Sequence, residues 1–231
     1  TGVEPSVRRL ERRVPYSVKP KDGATQNGEV SFQLGIAPLT IDAPGDSITT
    51  DAATFVLAGR TLKGGEVSVE GRPLQVSPEG RFAQVMSVSQ IGETTVTVRA
   101  AAPDHAPRLF AIHVQRVSSL AEEGARRPAQ ATTTYSAIAT AIEQKIGWNV
   151  ALDGVVFEHR PAEYSSLFLL DARSGCGAPP CLARVVYGAR ADLTQGEKVS
   201  VFGRVSGAVD GPRTGTKIPE LVADFVIEAK R

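Results

Sequence analysis

"QGEKVSVFGRVSG", residues 195–207, sets valines at alternate positions with polar residues between them, behind a glycine-bearing turn. Period two marks a strand with one buried face, because successive Cβ atoms leave a strand on opposite sides. With Val199, Val201 and Val205 turned inward, Phe202 is expected to face outward together with Ser200 and Arg204. Gly203 interrupts the run, and a glycine inside a strand marks a sharp bend or a close backbone approach.

Four more strand-like runs flank this one: "NVALDGVVFEHR" (149–160), "SSLFLLDAR" (165–173), "CLARVVYG" (181–188) and "ELVADFVIEA" (220–229). A short turn or helical connection, "ARADLTQGE" (189–197), joins the third to the fourth. Five strands, Gly154 inside the first and Gly203 inside the fourth, resemble an OB-fold over residues 147–231. The resemblance implies a small Greek-key barrel whose glycines lie where the strands coil. Ahead of it, Tyr135, Ile138, Ile142 and Ile146 in "TTTYSAIATAIEQKIGW" are spaced as one apolar helical stripe. That spacing predicts a helix over 134–146, stopped by Gly147. A helix before the first strand departs from the plain OB plan and suggests a cap on the barrel.

Residues 36–117 also read as strands: "PLTID", "TFVLAGRT", "EVSVEGRPLQV", "GRFAQVMSV", "ETTVTVRAAA" and "RLFAIHVQRV" each alternate. Val67/Val69, Val96/Val98 and Phe110/Ile112/Val114 form inward faces, and frequent turns predict an antiparallel sandwich. The order "GRTLKGGEVSVEG", "GRF" and "VTVRA" resembles bacterial Ig-like modules of the glucodextranase B-domain type, with "GETTV" as a small departure. Such modules serve as spacers, sugar-binding accessories and adhesion units, so this resemblance implies a fold and leaves function open. The expected fold is therefore all-β, an Ig-like antiparallel sandwich followed by an OB-like barrel with a preceding helix.

Residues 1–35 read as a polar N-terminal tail or linker (1–13) and a hairpin (14–35), the latter centred on "KDGATQNGE" with its D-G and N-G turn signals. A lone hairpin is unstable in water, so it is expected to pack on the sandwich or to belong to an upstream domain. Residues 118–133, "SSLAEEGARRPAQATT", read as a linker or a capping stretch, and 134–231 as helix plus barrel. The chain opens on Thr1, which suggests a processed product whose membrane anchor, if there is one, lies upstream.

Both cysteines lie in "GCGAPPC" (175–181). Zinc needs about four nitrogen or sulfur ligands, and His105, His113 and His159 add no second pair. A redox pair opens a helix, which Pro179-Pro180 forbids here. Free thiols remain an alternative, but a short loop closed by a Cys176–Cys181 disulfide fits best. That implies an oxidising, extracytoplasmic setting, periplasm or cell surface.

Lys+Arg 26 against Asp+Glu 25 leaves a net charge of +1, so no bulk attraction to nucleic acid or membrane exists. Within residues 147–231 ten basic and ten acidic residues balance. Single-strand binding needs a basic groove with stacking aromatics, which makes nucleic acid an unfavoured partner. Asp104-His105 sits in a proline-bracketed turn and His113 in mid-strand, while His159 beside Glu158 and Glu163 is a loop-end candidate without partners. No nucleophile, carboxylate pair or phosphate loop can be assigned. No cofactor, metal or catalytic residue is expected. The reading is a non-enzymatic module of a bacterial envelope protein: the sandwich as spacer or docking surface, the barrel as a head that binds another envelope protein. A polysaccharide-binding accessory and a single-stranded nucleic-acid binder are the alternatives. Phe157, Tyr164, Phe202 and Arg204 are the candidate surface residues in each case.

Overall fold

The structure is a computed structural model that describes residues 8–173, 175–177, 179–213 and 215–228. Sixteen strands dominate it. A hairpin, β1 (Arg9–Val18) and β2 (Gln26–Ile36), is followed by β3 (Leu39–Ala43), β4 (Ser47–Thr50), β5 (Thr54–Thr61), β6 (Glu66–Val69), β7 (Arg72–Pro73) and β8 (Arg81–Ser87). Then come β9 (Gly92–Ala101), β10 (His105–Ala106) and β11 (Arg108–Arg116), and after them two helices, α1 (Leu120–Arg126) and α2 (Tyr135–Ala139). The last five strands are β12 (Asn149–Pro161), β13 (Ser166–Asp171), β14 (Leu182–Tyr187), β15 (Lys198–Asp210) and β16 (Lys217–Glu228). Among the described residues no helix is long and apolar enough to cross a membrane.

The fold is all-β: a sandwich followed by a small barrel. One sandwich sheet runs β4-β11-β9-β6-β7 and the other β3-β5-β8. Val67, Val98, Ile112 and Val114 are each all but sealed from solvent, as the alternation requires. β4, which sequence reading did not place, pairs with β11 in parallel, His113 opposite Ser47 and Arg116 opposite Thr50. Compact packing divides the chain into two units. One holds the chain up to Thr40 with Gly59–Ala83 and Thr97–Ala111; the other holds Ile41–Ala58, Gln84–Val96 and everything from Ile112 onward. Each dividing line falls inside a sandwich strand rather than within 118–133.

The barrel closes in the order β12-β13-β14-β16-β15, with β14 and β16 parallel and the other neighbours antiparallel. Val199, Val201 and Val205 point into its core beside Leu152, Phe168, Leu170 and Leu221, as the alternation requires. Gly203 sits at a bulge between β15 and β16, where a Cβ would stand 2.1 Å from the Val222 carbonyl oxygen. At Gly154 an added Cβ would lie 2.6 Å from the Asp171 oxygen. Both glycines let neighbouring strands approach while the sheet curls shut.

Three sequence expectations change. Residues 9–13, read as tail, extend β1, and Asn27-Gly28 lies within β2, so the hairpin is longer and its loop is 19–25; residues 1–7 lie outside the described residues. The supposed linker holds α1 and a 3₁₀ turn at Arg127–Gln130. Its signal was a capping box, Ser119-Leu-Ala-Glu122, and the Ser119 hydroxyl oxygen accepts from the Glu122 N–H at 3.3 Å. Finally, the helix over 134–146 is broken. α2 ends at Ala139, Ala141 adopts a left-handed conformation, and a 3₁₀ turn (Ile142–Lys145) follows. Tyr135, Ile138 and Ile142 still pack on the barrel core, whereas Ile146 is exposed because the break rotates it off the stripe.

Candidate functional site

The outward face of β15 was the first candidate surface, and the structure closes it. Phe202 does leave the barrel on the side opposite the valines, yet it is only 5% exposed. Its ring stacks on Phe225 with centroids 4.6 Å apart, and Leu120, Ala131 and Ile227 complete the cluster. α1 lies over this pair. Gly124 permits the contact, since a Cβ there would stand 3.1 Å from Phe202 Cζ and 2.4 Å from Ile227 Cδ1. Arg127 adds its guanidinium 5.6 Å from the Phe225 centroid. Phe202 is therefore a packing residue of a small second core. The cause is α1, which turns residues 118–133 from a linker or capping stretch into a helical cover.

Arg204, two residues on, is tied down by polar partners. It donates to the Ser47 hydroxyl at 2.9 Å and to the Asp46 carboxylate, and stands 3.7 Å from Asp224. Ser47 in turn donates to Asp224 at 2.9 Å. Arg127 lies 3.6 Å from the second Asp224 oxygen and donates to Glu123 and Gln115. Two guanidiniums, Arg204 from β15 and Arg127 from the 3₁₀ turn after α1, thus share the Asp224 carboxylate of β16 beside β4. That joins the β4 edge to the barrel and leaves Arg204 occupied.

The remaining candidates do not converge. Phe157 is exposed at the bulge where β12 shifts register against β13. Tyr164 is half-buried in the β12–β13 turn, its phenol raised above the ordinary value chiefly by the hydrogen-bonding Glu163 carboxylate. Cys176 and Cys181 form a disulfide, with Cα atoms 5.5 Å apart, in the loop between β13 and β14. That loop is held from several sides. Asp171 accepts from the Arg173 and Cys181 N–H groups, Gly175 lies against α2, and Arg213 donates to the Pro179 carbonyl.

The histidines stand apart from one another. His105 Nδ1 lies 2.7 Å from the Pro103 carbonyl, His113 is exposed 3.5 Å from Thr95, and His159 Nδ1 is 2.9 Å from the Leu193 carbonyl with its ring edge-on to Phe168. Among the described residues no three His, Cys, Asp or Glu side chains gather to hold a metal. A groove of about 700 Å³ runs between α1, α2 and β12, lined mostly by small residues beside Tyr135, Phe202 and Ile227, with Asp153 hydrogen-bonded to Ser200 in its lining.

Among the described residues, six exposed large apolar side chains lie together on the hairpin. β1 and β2 pair over ten rows, from Arg9↔Gly35 to Val18↔Gln26. One face carries Leu10, Val14, Tyr16 and Val18 on β1 against Val30, Phe32 and Leu34 on β2, with Arg12 among them. The other face is polar apart from Pro15 and Gly35: Glu11 opposite Gln33, Arg13 opposite Ser31, Ser17 opposite Asn27. Except for Leu10, which is half-buried, these apolar side chains are 39 to 52% exposed. Nothing in the described chain covers them. The alternation of Val14, Tyr16 and Val18 and of Val30, Phe32 and Leu34 is the signal for this face, and it marks a hairpin over 14–35; Leu10 belongs to the stretch 1–13 that reads as tail.

No protein-family model matches this chain, and no curated protein matches it in sequence.

Proposed function

We propose that this chain is a non-enzymatic, extracytoplasmic module of a bacterial envelope protein that works by docking protein, with the sandwich as spacer. The observation that carries this is the hairpin, a ten-row ribbon with one polar face and one uncovered apolar face. Contiguous apolar surface of this kind marks a contact site on a soluble protein. The docking role falls to the ribbon rather than to the barrel, because Phe202 and Arg204 are spent on internal contacts. The Cys176–Cys181 disulfide supports the oxidising compartment.

The test is photo-cross-linking in protein matured in its native compartment, with a photoreactive residue at position 32 and another at 157. Protein adducts from position 32 are expected. Adducts from 157 alone would move the docking surface to the barrel, and none from either would defeat the docking role.

One observation favours a saccharide: Trp148 is 43% exposed beside the exposed Ile146, with Lys145 Nζ 3.7 Å from its ring centroid. Glycan binding that is lost in Trp148→Ala would carry that alternative. Nucleic acid is disfavoured by the balanced charge of residues 147–231 and by the burial of Phe202, so no oligonucleotide binding at physiological salt is expected.

A further inference from the structure

We infer that the occupant of the hairpin's apolar face is a second copy of this chain, packed ribbon on ribbon about a twofold axis; this rests on the docking role proposed above. Three observations argue for it.

The first is area. Six apolar side chains at 39 to 52% exposure, with Leu10 beside them, present roughly 500 Å² per copy, so a pair removes about 1,000 Å², the lower bound for a specific interface. The second is need. A two-stranded ribbon is marginal alone in water, and β2 gains only a two-residue parallel contact from β10, His105 and Ala106. Two stacked ribbons make a four-stranded sandwich with a dry middle.

The third is self-complementarity, which selects the axis. The apolar face has five rows: Leu10/Leu34, Arg12/Phe32, Val14/Val30, Tyr16/Gly28 and Val18/Gln26. The bulky Arg12/Phe32 row and the glycine-bearing Tyr16/Gly28 row lie symmetrically about Val14/Val30. An axis running across the strands at Val14 sets each bulky row on the other copy's Tyr16/Gly28 row. Phe32 then meets the partner's Tyr16 ring, which leans across Gly28 so closely that a Cβ there would stand 2.5 Å from Tyr16 Cζ, an aromatic pair formed twice about the axis. Arg12 lies on β1, the edge strand, so its long stem can carry the guanidinium to the solvated rim beside that ring. An axis along the strands would instead bring both Arg12 guanidiniums into one row, where like charges repel in an apolar setting. The crossing axis also sends Leu10 to the partner's Val18 and leaves Gln26 at the rim.

The experiment combines mass and register. Light scattering across the micromolar range should show a concentration-dependent dimer. Phe32→Asp should weaken it at least about tenfold, since a carboxylate would be buried in an apolar contact. Ser31→Asp, on the polar face, should leave it unchanged. For register, Val14→Cys protein should oxidise to a covalent dimer. Leu10→Cys and Val18→Cys proteins should link when mixed and not separately. These cysteine variants keep the ribbon apolar, so they report even if Phe32→Asp disturbs the hairpin.

A monomer at every concentration overturns the second-copy inference. If position 32 still gives adducts to a different protein, the docking role survives. A monomer without such adducts removes both. A dimer that tolerates Phe32→Asp and gives no Val14→Cys link lies elsewhere on the chain and also overturns it.

Discussion

Two pairs of aromatics, written in the same alternating code, meet opposite fates. Phe202 and Phe225 leave the barrel wall on the side away from its core, yet α1 covers them and they become a second core. Tyr16 and Phe32 leave the hairpin in the same manner and remain 49% and 41% exposed. The difference lies outside the strands that bear them. Period two states only that one face of a strand is apolar; whether that face is sealed depends on what the rest of the chain, or another chain, lays over it. A buried aromatic is then a stability residue and an exposed one a contact residue.

The sharpest break of this comparison is truncation on both sides. Phe202→Ala removes a ring from a packed stack and should cost about 3–5 kcal/mol, read as a clear loss in denaturant midpoint. An unchanged midpoint would mean that α1 does not seat on the barrel. Next comes the lid itself. Gly124→Val pushes methyl groups into Ile227 and Phe202 and should cost about 1–3 kcal/mol, read in the same denaturant midpoint. A neutral result would show that α1 shifts freely.

The disulfide acts on neither aromatic pair, so its removal calibrates the barrel alone. Replacing Cys176 and Cys181 by serine should cost about 2 kcal/mol or less, because the closed loop is short in the chain-entropy picture. Alkylation without reductant should label neither cysteine. Arg204→Ala should cost about 1 kcal/mol, since its ion pairs are partly solvated but its Ser47 and Asp224 contacts are sheltered. A barrel ligand lost in this variant at unchanged stability would restore Arg204 as a surface residue. Smallest of all, Phe32→Ala should shift the stability of the dilute protein by no more than about 0.5 kcal/mol, as substitutions at exposed positions do.

Much of the fold was legible because its signals are local. Val199, Val201 and Val205 alternate whatever surrounds them, Gly203 and Gly154 mark close strand approaches, and the cysteine spacing with Pro179-Pro180 allowed a loop and no helix. Ser119-x-x-Glu122 was equally local and was passed over, because α1 has only seven residues and little apolar periodicity of its own. The break at Ala141 was not legible. The spacing of Tyr135, Ile138 and Ile142 fits a continuous helix, and only the barrel surface decides that Ile146 turns away.

By itself, the sequence determined what depends on neighbours along the chain: strand periodicity, which side of each strand is apolar, the loop that the disulfide closes, and the charge balance that disfavours polyanions. Tertiary structure decided which apolar faces are shared. It placed α1 over Phe202 and Phe225, it bound Arg204 to Asp46, Ser47 and Asp224 from more than 150 residues apart for the first two, and it left the hairpin face bare. The physical reason is that alternation encodes a face, whereas burial is a property of two faces meeting, and the second face can come from anywhere in the chain or from outside it.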